Sequence, residues 1–339
     1  MQIQNNIPLS TLTTMRLGGL AHEVATISSK DELEEIIAYA QNGHKPFFVI
    51  GGGSNIIARA ADYAGIIILS RIPGFEILEE TDAWTVLRIG AGENWDNTVK
   101  RTTELGLSGI EAMSAIPGTV GATPVQNVGA YGQEIADTFV ELEAYDTTSH
   151  QWITFNKEAC HFSYRNSAFK DTDVRHHVIT SVTLRLKKDW LTPPFYDSLQ
   201  RYFDGHQITD YTPATIREAV IAVRASKLPD PKQIANTGSF FKNPIVSQEI
   251  TDSLLAIYPT MPHFPVADGT VKLAAGWLTE QAGLKGYEAH GLRTYQENAL
   301  VIVNDSATSY TQLLDFKDEI IDGVFKKFGV TLQQEPETL

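Results

Sequence analysis

With 339 residues the chain has room for about two domains of ~150 residues each, both large enough to bury a core. Its one cysteine, Cys160, excludes an internal disulfide and fits a reducing compartment. A formal net charge of −14 disfavours nonspecific nucleic-acid binding, because no excess of cations replaces phosphate counterions, while a local basic pocket for a small anion stays open.

The opening segment MQIQNNIPLSTLTTMRLGG has no basic cluster ahead of an apolar core, so it does not read as a secretory leader. No run reaches the ~18 apolar residues of a membrane span. The chain is read as cytoplasmic, without membrane insertion. From Ser29 to Gly43 the pattern predicts one helix: Ser29 and Glu32 make a capping box, and Leu33, Ile36, Ile37 and Ala40 share a face. PFFVI (46–50) reads as a buried strand and is followed by GGGSN (51–55), a second apolar run IIIL (66–69), and TVLRIGAG (85–92). This alternation places the chain in the α/β or α+β class.

A second helix is expected over 94–106. From 107 to 132 small residues dominate, with apolar ones interspersed, unlike a flexible linker. FVELEAYD (139–146) and VTLRL (182–186) alternate as half-buried strands do and bracket YRNSAFK (164–170). KKDWLTPPFYDS (187–198) interrupts the pattern and suggests a boundary within 187–212. Thr212 and Pro213 then start a helix faced by Ile216, Val220 and Val223. Further helices are expected near 247–257, 273–282 and 309–327, with a strand at ALVIV (299–303).

Three stretches carry possible chemistry. GGGSN offers successive backbone N–H groups that can cradle a pyrophosphate, or it is a plain turn. In SAIPGTVGATPVQNVGAYGQEI (114–135), Gly118, Gly121, Gly129 and Gly132 allow close backbone approach, and Thr119, Thr123, Gln126 and Asn127 supply hydrogen bonds. A flat polar heterocycle needs that mixture, and an elaborate surface loop is the bland reading. Arg165 beside Tyr164 can grip a carboxylate through two parallel hydrogen bonds, or make an ordinary surface ion pair.

RASKLPDP (224–231) and NTGSFFKNP (236–244) place Arg224, Lys227 and Lys242 near Ser239, as a phosphate site or as a solvated loop. Ser239 follows Gly238 and precedes Phe240 and Phe241, which describes either a packed strand or a hydroxyl sheltered for proton transfer. No GxSxG and no neighbouring base mark it as a nucleophile, so proton donation remains. Glu337 lies in the terminal QEPETL, where frayed carboxylates are expected. One cysteine and nine histidines without HExxH give no zinc spacing, and no metal is expected.

Taken in order, GGGSN, GAGENW (90–95), IPGTVGATPVQNVGAYG (116–132), YRNSAFK, KLPDP (227–231), GSFFKNP (238–244), VKLAAGWL (271–278) and EPE (335–337) resemble the UDP-N-acetylenolpyruvoylglucosamine reductase family over nearly the whole chain. The Tyr196 segment looks like the longer subtype, which carries a tyrosine loop. The resemblance implies an α+β fold: a two-lobed FAD-binding domain of the vanillyl-alcohol-oxidase (PCMH) type and a separate α/β substrate-binding domain. The corresponding segments are 1–72, 73–205 and 206–308, with a C-terminal helix and tail over 309–339. The activity implied is NADPH-dependent reduction of UDP-N-acetylglucosamine enolpyruvate to UDP-N-acetylmuramate, for peptidoglycan synthesis and hence cell-wall biogenesis, shape and division, by a monomer.

By the same resemblance FAD is held noncovalently. Gly51, Gly52, Gly53, Ser54 and Asn55 would lie near its pyrophosphate. Ser114, Ile116, Pro117, Gly118, Gly121, Ala122, Thr123, Gln126, Asn127, Gly129, Ala130, Tyr131 and Gly132 would follow the dinucleotide and isoalloxazine. Tyr164, Tyr196, Lys227 and Asn243 match substrate-contacting positions. Hydride passes from the flavin to the terminal alkene carbon; Arg165 pairs with the carboxylate, Glu337 assists it, and Ser239 protonates the neighbouring carbon, with the two phenylalanines keeping water away. The chain stops two residues after Glu337, which leaves its anchoring in question. The alternatives are another FAD-dependent sugar or alcohol oxidoreductase of this fold, against which the absence of a tethering histidine in the two glycine-rich segments counts, and a noncatalytic flavin-binding protein.

Overall fold

The computed structural model describes residues 1–59, 62–171, 174 and 176–339, with Ala267 by its backbone alone. The chain divides into two compact units. The first comprises Met1–Ile7, Ala21–Gly52 and Ala64–Ser226; the second comprises Pro8–Leu20, Gly53–Tyr63 and Lys227–Leu339.

In the first unit, the helix Lys30–Asn42 starts where Ser29 Oγ accepts from Glu32 N. Glu32 returns its carboxylate one residue further back than a capping box requires, to Ser28 N at 2.7 Å. Its buried residues Leu33, Ile36, Ile37 and Ala40 pack on Ala25, Ile27, Ile66 and Ile68. The sheet beneath orders Gln2–Pro8, Leu20–Ile27, Tyr63–Ser70 and Phe47–Ile50, and its last two strands run parallel with Phe47 opposite Ile66. Parallel strands covered on both faces are apolar throughout, which explains the unbroken IIIL run.

A second sheet in this unit is antiparallel, in the order Gln151–Asn156, Phe139–Asp146, His177–Lys187, Trp84–Gly90, Phe75–Glu80. Its core gathers Leu87, Ile89, Trp95, Val99, Leu142 and Val182, with helix Trp95–Glu104 capped by Asn94. The helices Asp197–His206 and Pro213–Ala225 form a smaller cluster through Leu199, Phe203, Ile216, Ala219, Val220 and Val223, packed on Ala112. Because this apolar face finds its partners there, the division of the chain falls after Ser226, whereas the sequence pattern begins its third segment at residue 206.

The second unit has its own core. Strands Asn236–Ser239, Val301–Asn304, Leu292–Thr294 and Glu288–Ala289 make one antiparallel sheet in that order. Helix Tyr310–Phe328 opens on a Ser309/Gln312 capping box and ends at Gly329. It buries Leu313, Phe316, Ile320, Val324 and Phe328 along one face. Phe240 and Phe241 are fully buried in this core, their ring centroids 5.1 Å apart. They pack in the core, next to half-buried Ser239. Among the described residues no helix is long and apolar enough to cross a membrane.

Candidate active site

Two of the glycine-rich segments meet inside the first unit. Gly51 and Gly52 approach 118–119 so closely that a Cβ on Gly51 would sit 2.2 Å from Thr119 Oγ1, and one on Gly52 would sit 2.8 Å from Gly118 Cα. GAGENW lies along the same turn: Trp95 N donates to Gly118 O, Val120 N to Glu93 O and Gly121 N to Ala91 O, at 2.9–3.1 Å. Three of the polar side chains expected to meet a cofactor also bond within the protein. Ser114 Oγ donates to Glu111 O, Thr123 Oγ1 donates to Val120 O, and Asn127 bonds Ser163 O, Glu134 and Ala136 N. Gly52, Pro117, Ala122 and Gly132 are left exposed.

That arrangement fits FAD. The exposed positions carry no large side chain, so a planar ring and a diphosphate can lie against backbone. Ala115, Asn127 and Tyr131 all have φ near +50°, a conformation costly for residues with a Cβ, and such strain gathers at ligand sites. Arg71 adds a charge the motif reading missed: its Nη1 donates to Gly51 O at 2.9 Å and to Ser70 O at 2.7 Å, and burial lowers its pKa from the ordinary value. A guanidinium stays protonated through such a shift, so a cation stands behind the first glycine of GGGSN.

YRNSAFK docks on the same segment. Arg165, itself at φ 53°, donates from Nη2 to Gly129 O at 2.8 Å, and Ser167 Oγ donates to Val125 O at 2.7 Å. Its guanidinium lies 5.4 Å from the Tyr164 ring centre. Tyr131 meets Tyr196 edge to face at 5.7 Å, which brings the half-exposed Tyr196 to the end of the glycine-rich segment. Arg224, at the end of helix Pro213–Ala225, is a second cation the motif reading undervalued. Burial lowers its pKa, Tyr131 and Asp96 are its charged or polar neighbours, and it makes no ion pair among the described residues. Asp96 is committed elsewhere, to a two-pronged pair with Arg217 at 2.6 and 2.9 Å.

The remaining expected residues, Gly53, Ser54, Asn55, Lys227, Ser239, Asn243 and Glu337, belong to the second unit. Buried Asn236 shapes the turn that precedes Ser239. Its Oδ1 accepts from Gly238 N at 2.8 Å, and its Nδ2 donates to Ile234 O at 2.7 Å and Pro229 O at 3.3 Å. Gly238 adopts φ +72° with nothing within 4 Å of where a Cβ would be, so the turn that presents half-buried Ser239 borders open space. Arg16 holds the same loop by donating to Pro231 O and Lys232 O.

Asn243 Oδ1 accepts from Ala275 N at the start of helix Ala275–Gln281. Lys227 is exposed. The chain's end is a strand: Glu335 N donates to Phe240 O, Gln333 and Gln334 pair with Lys242 and Phe241, and Glu337–Thr338 run parallel to Ile56–Ile57. Glu337 N donates to Asn55 O at 2.9 Å. Glu337 is therefore anchored beside GGGSN, contrary to the expectation of a frayed tail.

A family model described as UDP-N-acetylenolpyruvoylglucosamine reductase, C-terminal domain, matches residues 230–339, and one described as FAD binding domain matches residues 21–153. The UDP-N-acetylenolpyruvoylglucosamine reductase of Cupriavidus pinatubonensis is 44% identical over 87% of this chain and 86% of its own length. The chain belongs to the UDP-N-acetylenolpyruvoylglucosamine reductase family. The reductase of that name from Ralstonia nicotianae is 40% identical, covering 97% of both chains, and the one from Escherichia coli K12 is 37% identical over 97% of this chain and 95% of its own.

The crystal structure of UDP-N-acetylenolpyruvylglucosamine reductase from Thermus caldophilus superposes with a TM-score of 0.66 at 22% identity, covering 100% of this chain and 99% of the other, and shows the shared fold. A member of this reductase family is an FAD-dependent oxidoreductase, with an α+β FAD-binding domain and a separate C-terminal domain.

Proposed function

We propose that this chain reduces the enolpyruvyl ether of UDP-N-acetylglucosamine to UDP-N-acetylmuramate, with NADPH as electron source, as a cytoplasmic monomer supplying peptidoglycan precursors. The observation that carries the reading is the docking of Arg165 onto Gly129, within a backbone-lined segment suited to FAD, in a chain of this reductase family. When bound, FAD would supply the redox chemistry that links NADPH to the alkene. Gly51, Gly52 and the 114–132 segment hold it without a covalent bond, since neither GGGSN nor 114–132 contains a histidine or cysteine. Gly53, Ser54 and Asn55 complete the pyrophosphate contacts.

Arg165 grips the substrate carboxylate, onto which negative charge moves as the alkene is reduced. Glu337 supports that charge distribution, and Ser239 Oγ delivers the proton to the carbon beside the carboxylate. A serine hydroxyl is a weak acid, so transfer proceeds only toward carbon that already bears carbanion charge. Tyr164, Tyr196, Lys227 and Asn243 bind the sugar nucleotide. Arg224 and Arg71, both partly withdrawn from water, supply positive charge for the anionic parts of the bound molecules.

The test is an anaerobic two-step assay. NADPH is expected to bleach the bound flavin, and the enolpyruvyl sugar nucleotide is expected to restore its colour. Rapid recovery with oxygen and none with the sugar nucleotide would replace this reading by that of an oxidase on the same fold. Protein that binds FAD yet stays coloured with NADPH would leave only a binding role.

A further inference from the structure

Away from these segments, the end of the antiparallel sheet in the first unit gathers a second set of chemically capable side chains. Asp146 closes strand Phe139–Asp146, and His177, opening strand His177–Lys187, is its direct cross-strand partner, so both side chains share one face. His176 precedes His177 and is held in place by its carbonyl, which accepts from Thr147 N at 3.1 Å and Thr147 Oγ1 at 2.8 Å. The two imidazoles lie 4.2 Å apart between centres, and His176 Nε2 is 3.5 Å from Asp146 Oδ1. Among the described residues, one donor atom from each of Asp146, His176 and His177 lies within 4.8 Å of the others.

We infer that Asp146, His176 and His177 bind a divalent first-row transition ion of the zinc type. Ligand bonds of ~2.0–2.2 Å around such an ion place tetrahedral donors about 3.4 Å apart, so the Asp146–His176 separation already suits it and small side-chain rotations bring His177 in. Two imidazoles and one carboxylate favour zinc or its neighbours over magnesium or calcium, which prefer all-oxygen shells. Three protein ligands leave a fourth position for water.

The supporting shell is also present. Thr148 N and Ser149 N donate to Asp146 Oδ1, and Ser149 Oγ donates to Oδ2 at 2.6 Å, fixing the carboxylate. His177 Nδ1 faces Val174 O at 3.1 Å, so Nδ1 carries the hydrogen and Nε2 keeps its lone pair. The ion would tie the 147–150 turn to the start of the His177 strand. No linear spacing motif reveals the set, because the strand pairing assembles it.

The test uses the flavin-loaded protein, freed of adventitious ions with a chelator and titrated with zinc sulfate by calorimetry. One ion per chain is expected, with a melting temperature that rises with the logarithm of zinc concentration. His176→Ala and His177→Ala should each weaken binding by more than the ~10–100-fold that loss of a supporting group costs. His206→Ala, on a separate helix, should leave binding unchanged. Asp146→Asn keeps an acceptor for Thr148 and Ser149 while removing the charge, and should weaken binding too. If these variants fail to fold, the ring resonances of His176 and His177 in the unaltered protein decide, since both must shift on one-to-one addition of zinc. Absence of a saturable single site, undiminished binding in the His176→Ala/His177→Ala double variant, or ring resonances that ignore zinc would overturn the inference.

Discussion

Replacing Asn236 with alanine removes a side chain that ties the Lys227–Pro231 loop to the turn presenting Ser239. The substitution deprives Gly238 N–H of its acceptor at 2.8 Å and the carbonyls of Ile234 and Pro229 of a donor at 2.7 and 3.3 Å. A buried N–H without a partner costs about 1–3 kcal/mol, while carbonyls with a second lone pair lose less, so the sum is about 2–4 kcal/mol. A domain of 150–250 residues shifts by about 2–4 °C per kcal/mol and a smaller one by more, so the melting transition of the somewhat smaller unit carrying Asn236 should fall by at least roughly 5–15 °C.

Asn236→Asp should be worse than alanine, because a carboxylate still accepts from Gly238 N but is forced against two carbonyl oxygens. Differential scanning calorimetry reads the first effect. Stopped-flow flavin absorbance reads the functional one: flavin reduction by NADPH should survive, and reoxidation by the enolpyruvyl sugar nucleotide should slow as Ser239 loses its fixed placement. A fall of less than about 1 °C, with aspartate tolerated better than alanine, would refute the role given to this amide.

Three more outcomes follow from the same geometry. Ser239→Ala should slow reoxidation by substrate ~10²–10⁴-fold and leave reduction by NADPH near normal; equal slowing of both steps in stopped-flow would make the serine structural. Gly52→Ala puts a Cβ 2.8 Å from Gly118 Cα, a backbone atom that cannot swing aside, so the purified variant should lose bound flavin, measured as a fall in the ratio of 450 to 280 nm absorbance relative to the parent; an unchanged ratio would refute the close approach. Burial alone would raise the Asp96 carboxyl, but hydrogen bonds from Arg217 and Ala115 N and the nearby guanidinium charge outweigh it and hold its pKa below the ordinary value. Its contribution is therefore present above the unfolded carboxylate pKa, about 3.9, and lost as pH falls through the lower folded value; Arg217→Met should remove this acid-side loss of stability in denaturant titrations below about pH 4.

The elements that could be read from sequence are those whose signals are local. Helix Tyr310–Phe328 announces itself through Ser309, Gln312, a continuous apolar face and Gly329, and it appears within a residue of the expected 309–327. Helix Asp197–His206 is hidden, because Leu199 and Phe203 are set among polar residues and follow two prolines, and only the cluster with Ile216 and Val220 makes the face worth burying. Ordered motifs single out candidate residues, yet not what each side chain bonds to. Ser114, Thr123 and Asn127 read as ligand donors in sequence, and their bonds to Glu111 O, Val120 O and Ala136 N give them a part in shaping the loop that no motif reveals. Glu337 looks frayed because its strand partner, Ile56, lies at the other end of the chain. Arg71 carried an unused signal: parallel strands bring their carboxyl ends to one edge, so the residues after Ile50 and after Ser70 must land side by side, as Ile50 opposite Leu69 shows.

The chain's charge of −14 would seem to oppose ligands that carry a diphosphate or a carboxylate, and the magnitudes show why it does not. An exposed carboxylate more than about 8 Å from a ligand is largely screened at physiological salt. A partly desolvated guanidinium 4 Å from a phosphate interacts at an effective dielectric near 20 with about 4 kcal/mol. Arg71 and Arg224 are guanidinium groups partly withdrawn from water, both in the first unit with the 114–132 segment. That partial desolvation is a standing cost to the folded protein, and one that a bound anion beside them would offset. Net charge thus sets how the molecule behaves in solution, while a cation close to a small anion acts on it almost unscreened.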